Sequence, residues 1–94
     1  MDDDLFEWDD RKAAENSAKH GVSFEAARDV FNDVFAVDRP DDRARYGEER
    51  FTIIGMVDGR LLLVAYTMRG DTIRIISARG AEPREQRQYY QDNA

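Results

Sequence analysis

Ninety-four residues with a formal net charge of −6 and no cysteine make one small domain, residues 1–94, with room for a single modest core, and exclude a disulfide scaffold or a thiolate metal centre. The acidic balance excludes a protein held to nucleic acid by bulk positive charge. No apolar run approaches the roughly 20 residues of a membrane-spanning helix, and the acidic start Met1-Asp2-Asp3-Asp4 lacks the basic-then-apolar order of a signal peptide, so no membrane association and a cytoplasmic setting are expected.

In chain order, Leu5 to Trp8 alternates and reads as an edge strand. Asp9 is a good N-cap for a helix running to His20; Asp10 suits its first turn, Lys19 and His20 its last, and Gly21 ends it. Ala13, Ala14, Ser17 and Ala18 give that helix a small-residue face, expected to lie close to its neighbour. Ser23 caps a second helix, on which Phe24, Ala27, Val30, Phe31 and Val34 recur at helical spacing as a core stripe. Phe35 to Asp38 is the next candidate strand, and Arg39 to Gly47 is a polar loop expected to be mobile. Three strands follow: Phe51 to Val57, closed by the hairpin signal Asp58-Gly59; Arg60 to Met68, whose run Leu61 to Ala65 suits a central strand; and Thr72 to Ala78. Pro83 then opens a short helix to Tyr90, with Tyr89 and Tyr90 expected to be exposed at its end. The expected class is α+β: an antiparallel β-meander, two N-terminal helices packed on one face, a short C-terminal helix, and a second face left open for function.

The charges are not evenly spread. Residues 1–50 hold 15 acids and eight bases, whereas residues 51–94 hold five acids and six bases, every one an arginine. Arg69 sits at the tip of the last hairpin, beside Gly70 and Asp71, Arg74 lies within its second strand and Arg79 at its end. A strand otherwise made of Ile and Ala has no packing use for guanidinium groups, whose planar fork of donors matches phosphate. Arg74 and Arg79 differ by an odd number, so a regular strand would point them to opposite faces. A bulge near Ile75-Ile76, or the strand end, is needed to bring them together. His20 is the only histidine and could act as acid or base near neutrality, or simply cap its helix; Lys19 is beside it. Tyr66 could stack on a base or pack as a strand aromatic. One histidine without cysteine is a poor donor set for a metal, and nothing in the chain requires a cofactor. A helix-turn-helix reading of the segment around Gly21 fails because the second helix is acidic and its other face is needed for the core.

Four blocks carry a resemblance: Phe6-Glu7-Trp8-Asp9; Asn16 with Lys19-His20-Gly21-Val22-Ser23-Phe24-Glu25-Ala26-Ala27; Glu48-Glu49-Arg50-Phe51 with Ile54-Gly55; and Tyr66-Thr67 with Arg69-Gly70-Asp71 and Ile73 to Arg79. In order and spacing they are similar to the BrnT family. The resemblance implies the toxin of a type II toxin–antitoxin pair, with a RelE-like fold and an endoribonuclease activity that inhibits translation. It implies a BrnA-like antitoxin as partner, a complex expected to hold two copies of each, and contact with operator DNA only through the antitoxin. On this reading Lys19, His20, Arg74 and Arg79 are the candidate catalytic residues of a metal-independent cleavage, and Arg69 and Tyr66 the candidate RNA-binding residues. The chain departs from the family where Gly80 replaces the usual Lys and Met68 a frequent Glu. The alternative is a non-catalytic module whose arginine face binds an acidic protein.

Overall fold

In the computed structural model, which describes residues 5–41 and 47–94, the chain runs in the order β1 (Phe6–Glu7), α1 (Asp10–His20), α2 (Phe24–Asp29) with a 3₁₀ turn (Val30–Asn32), β2 (Val37–Pro40), β3 (Phe51–Val57), β4 (Arg60–Arg69), β5 (Thr72–Gly80) and α3 (Pro83–Asp92). The local signals act as expected. The Asp9 carboxylate accepts from the Lys12 N–H at 3.0 Å, and Gly21 closes α1 in the left-handed region at φ 68. The Ser23 hydroxyl accepts from the Ala26 N–H and starts α2. Of the expected polar loop, Arg39 and Pro40 extend β2, and residues 42–46 lie outside the described residues.

The sheet has the order β1-β5-β4-β3-β2. Strands β2 to β5 form the antiparallel meander. The sheet is nevertheless mixed, because β1 pairs parallel with β5 (Phe6 with Ile73, Glu7 with Arg74). A parallel partner needs a long connection, and the whole of α1 to β4 separates the two strands.

Side chains alternate across a strand, and the two core clusters divide accordingly. Val22, Phe24, Ala27 and Val30 pack with Ile53, Leu62, Val64, Tyr66, Ile75 and Ala78 on one face. Ile54 and Leu61, with Leu63 and Val37 beside them, meet Tyr89 of α3 on the other. The second face is therefore not left open: α3 covers one end of it. Tyr89 is only 6% exposed, and its hydroxyl donates to Asp33 at 2.6 Å; of the two tyrosines only Tyr90 is exposed.

Two apolar expectations fail for local reasons. Val34 is 88% exposed, because the helix tightens into a 3₁₀ turn at Val30 and ends, so the 3.6-residue stripe is broken before position 34. The inward side of α1 is Ala13 and Asn16, while Ala14, Ser17 and Ala18 face solvent.

Gly55 lies on β3 where α2 ends against the sheet. A Cβ there would stand 2.7 Å from Val30 Cγ1 and 3.0 Å from the Val30 carbonyl oxygen. Gly55→Ala is expected to destabilise by about 1–3 kcal/mol through overpacking, read as a lower urea midpoint at constant slope. An unchanged midpoint would show that Val30 moves aside without cost.

Candidate active site

The pairing of β4 with β5 shifts register once. Ala65 faces Ser77 while Tyr66 faces Ile75, so Ile76 has no partner. Arg74 is then opposite Thr67 and Arg79 opposite Leu63. Residues 63 and 67 share a face of β4, so the bulge puts both arginines on the α3 face. Four residues along β4 nevertheless keep them roughly 13 Å apart, and each has its own carboxylate. Arg74 Nη1 donates to Glu7 at 2.6 Å. Arg79 forks onto Glu85, at 2.8 and 2.9 Å, and also meets Glu82 at 3.1 Å. Arg39 of β2 holds Asp92 of α3 at 2.8 Å. Arg69 stays exposed at the hairpin end.

His20 reaches the site through Asn16. The Asn16 amide donates to the Ala78 carbonyl and the Val22 carbonyl, both at 2.9 Å, and accepts from the Ala78 N–H at 3.0 Å. This side chain stands in for a neighbouring strand beyond the end of the short β1. One turn later on the same side of α1 comes His20, which the clamp brings to the end of β5. There a cleft of about 560 Å³ is lined by His20, Arg60, Arg79, Gly80, Gln86 and Tyr90, among others. It wraps around the end of β5: Arg60 is in phase with Leu62 on the α1 face, whereas Arg79 comes from the α3 face. The Arg60 guanidinium lies against Gly80, with Nη2 2.8 Å from where a Cβ would be.

Of the residues singled out by sequence, His20 and Arg79 thus meet in one cleft. Lys19 is exposed next to it but does not line it. Tyr66 lies elsewhere, 5% exposed on the α1/α2 face. It packs against Phe31 and Phe51 and donates to Asp38 at 2.6 Å, so its ring has no open face for a base. Burial and that carboxylate push the Tyr66 hydroxyl pKa upward. Sequence reasoning passed over Arg60, which reads as a hairpin residue, and gave Asn16 a place in a resembling block but no role.

Two carboxylates anchor α3. Burial raises Glu85, but the Arg79 hydrogen bonds and the Glu82 N–H outweigh it and hold Glu85 below its ordinary range. Asp33 is likewise pushed up by burial and pulled further down by the Tyr89 hydroxyl and the Met56 and Phe35 N–H groups. Burial and Asp33 push Tyr89 itself up to about 12. Carboxyls with lowered pKa stabilise the fold above the ordinary range and lose that contribution as pH falls through their lowered values. Below about pH 4, α3 is therefore expected to loosen before the meander, seen as earlier loss of amide protection in residues 83–92. Simultaneous loss across the domain would count against this anchoring.

Chemically, the cleft offers one imidazole, two guanidinium groups and an exposed tyrosine, with the Glu82 carboxylate at its rim paired to Arg79. Those are donors for phosphoryl oxygens, a proton-transfer group and a stacking surface. Among the described residues, no three of His, Cys, Asp and Glu are grouped as a metal site, and no helix is long and apolar enough to cross a membrane. A family model described as "Ribonuclease toxin, BrnT, of type II toxin-antitoxin system" matches residues 8–85. No curated protein matches the chain.

Proposed function

Because the chain belongs to the BrnT family of ribonuclease toxins of type II toxin–antitoxin systems, we propose that it is a metal-independent endoribonuclease that inhibits translation, with its active site in the cleft at the end of β5. The observation that carries this reading is the meeting of the lone histidine with Arg79 and Arg60 around one cleft. The RNA 2′-hydroxyl attacks the adjacent phosphorus, the P–O5′ bond breaks, and a 2′,3′-cyclic phosphate and a 5′-hydroxyl form. His20 moves a proton at one of these oxygens, and the Arg79 guanidinium stabilises the charge that develops on the phosphoryl oxygens. Lys19, Arg74 and Arg69 hold flanking phosphates; Tyr66 has no part in binding. The donor set of one histidine and no cysteine supports cleavage without metal.

The family places an antitoxin opposite this toxin. The partner proposed is BrnA-like, in a cytoplasmic complex of two toxins and two antitoxins that reaches operator DNA through the antitoxin. It covers the α3 face, where Tyr90 is 57% exposed and suited to anchor an interface.

One observation favours a second reading. Arg39, Arg74 and Arg79 are each ion-paired within the chain, as expected of a structural arginine face on a non-catalytic module. Incubating the purified chain with single-stranded RNA in EDTA separates the two. Cleavage is expected to persist, and to fall by about 10²–10⁴ in His20→Ala. A folded wild-type chain that never cuts RNA would favour the module; cleavage only with Mg²⁺ would overturn metal independence.

A further inference from the structure

We propose that Arg60 and Tyr90 form a nucleotide-binding subsite for single-stranded RNA beside His20, with Arg60 holding a phosphate and Tyr90 stacking on a base; the proposal rests on the reading of the cleft as a ribonuclease site. The argument begins with charge. Arg39, Arg74 and Arg79 each hold a carboxylate at 2.6–2.8 Å, so the charge each offers a phosphate is already partly neutralised. Arg60 has no carboxylate partner among the described residues, and its charge is available to an incoming anion.

Position supports the same conclusion. Arg60 and Gly80 are in phase with the buried side chains of the α1 face, because Leu62 pairs with Gly80. The guanidinium occupies the space that a side chain at position 80 would fill. The missing side chain is therefore what lets an arginine from the neighbouring strand reach the end of β5, on the side where α1 presents His20. Tyr90 lines the same cleft with 57% of its surface exposed. Its ring is steadied edge-on by Tyr89 at 5.3 Å, which is itself tied to Asp33. An exposed aromatic on a held helix, next to a guanidinium with no carboxylate partner among the described residues, is the pairing that single-stranded RNA uses: a stacking surface with a cation for the backbone. The cleft, at about 560 Å³, is within the range of small-ligand sites.

The test is binding rather than cleavage. A fluorescent single-stranded oligoribonucleotide with 2′-O-methyl groups cannot be cut, and its anisotropy reports affinity for the full chain. Arg60→Ala is expected to weaken binding by about tenfold or more and to reduce the salt slope by about 0.7, one phosphate contact on a single strand. Tyr90→Leu is expected to cost about tenfold with the salt slope unchanged. Arg60→Gln, which keeps most of the side chain but removes its charge, should weaken binding as well and serves if Arg60→Ala fails to fold. Wild-type affinity and salt slope in folded Arg60→Ala or Arg60→Gln would overturn the subsite. Cleavage of ordinary RNA by His20→Ala is read separately. If that variant cuts like wild type while Arg60→Ala loses binding, the subsite stands and the catalytic assignment falls.

Discussion

Arg79→Ala is expected to lower RNA cleavage by about 10²–10³, the cost of losing a charged donor to a transition-state oxyanion (about 2.7–4 kcal/mol), and to relieve growth arrest when the chain is expressed alone. The fold complicates this variant. Glu85 is only 8% exposed, and its carboxylate would be stranded, at a cost of about 1–3 kcal/mol in stability. A second change separates the two effects. Arg79→Ala combined with Glu85→Gln removes the guanidinium and the charge it would strand, while the Gln amide oxygen can still accept from the Glu82 N–H that opens α3. If Arg79 serves the reaction, the double variant should melt close to wild type and still cut RNA poorly. Recovery of cleavage together with stability would show that Arg79 only ties α3 to the sheet. Rates and melting curves on the single and double variants decide the matter.

Asn16→Ala is expected to cost about 2–4 kcal/mol. It removes three hydrogen bonds and leaves the Ala78 N–H and C=O, on the rim of the sheet, without their partner. For a domain whose whole stability is on the order of 5–10 kcal/mol, that is a large share, visible as a lowered melting temperature. Asn16→Asp should be worse: a carboxylate keeps the acceptor for Ala78 but turns acceptor oxygens towards the Ala78 and Val22 carbonyls. Since His20 follows Asn16 by one turn, cleavage by the folded fraction should fall too. A variant as stable as wild type would show that water replaces the amide at no cost.

The elements themselves were legible because their signals are local. Asp9, Gly21, Ser23, Asp58-Gly59 and Pro83 act within a few residues of where they stand, and they placed most helix ends and one hairpin. Counting along one strand also left a bulge near Ile75-Ile76 or the strand end as the ways to bring Arg74 and Arg79 together; the bulge is present, but it puts them on one face without bringing them into one cleft. What escaped was set by contacts distant in sequence. Nothing near Phe6 announces that it will lie parallel to Ile73. Tyr89 is buried because Asp33 and Met56 come to meet it, 56 and 33 residues earlier in the chain. Val34 was misplaced because one turn of tighter helix undoes a periodic pattern. The arginines were recognisable as unusual, but which of them already held a carboxylate depended on Glu7, Glu82 and Glu85 arriving from other elements. Arg60, the one in the cleft without such a partner among the described residues, stood outside the hairpin that drew attention.

The unpaired Ile76 has a consequence for how this chain tolerates change in length. A sheet normally forgives substitution and resists insertion, because each added residue inverts everything beyond it. Here the odd residue is already present, and two requirements depend on it together. Ile75 and Ala78, three apart, both lie in the core, while Arg74 and Arg79, five apart, both lie on the opposite side. Removing one residue anywhere between them would turn one half of the strand over, driving Arg74 against Phe6 and Tyr66 or Arg79 towards α1. The polarity of this strand is thus encoded in a parity, the number of residues between Arg74 and Arg79.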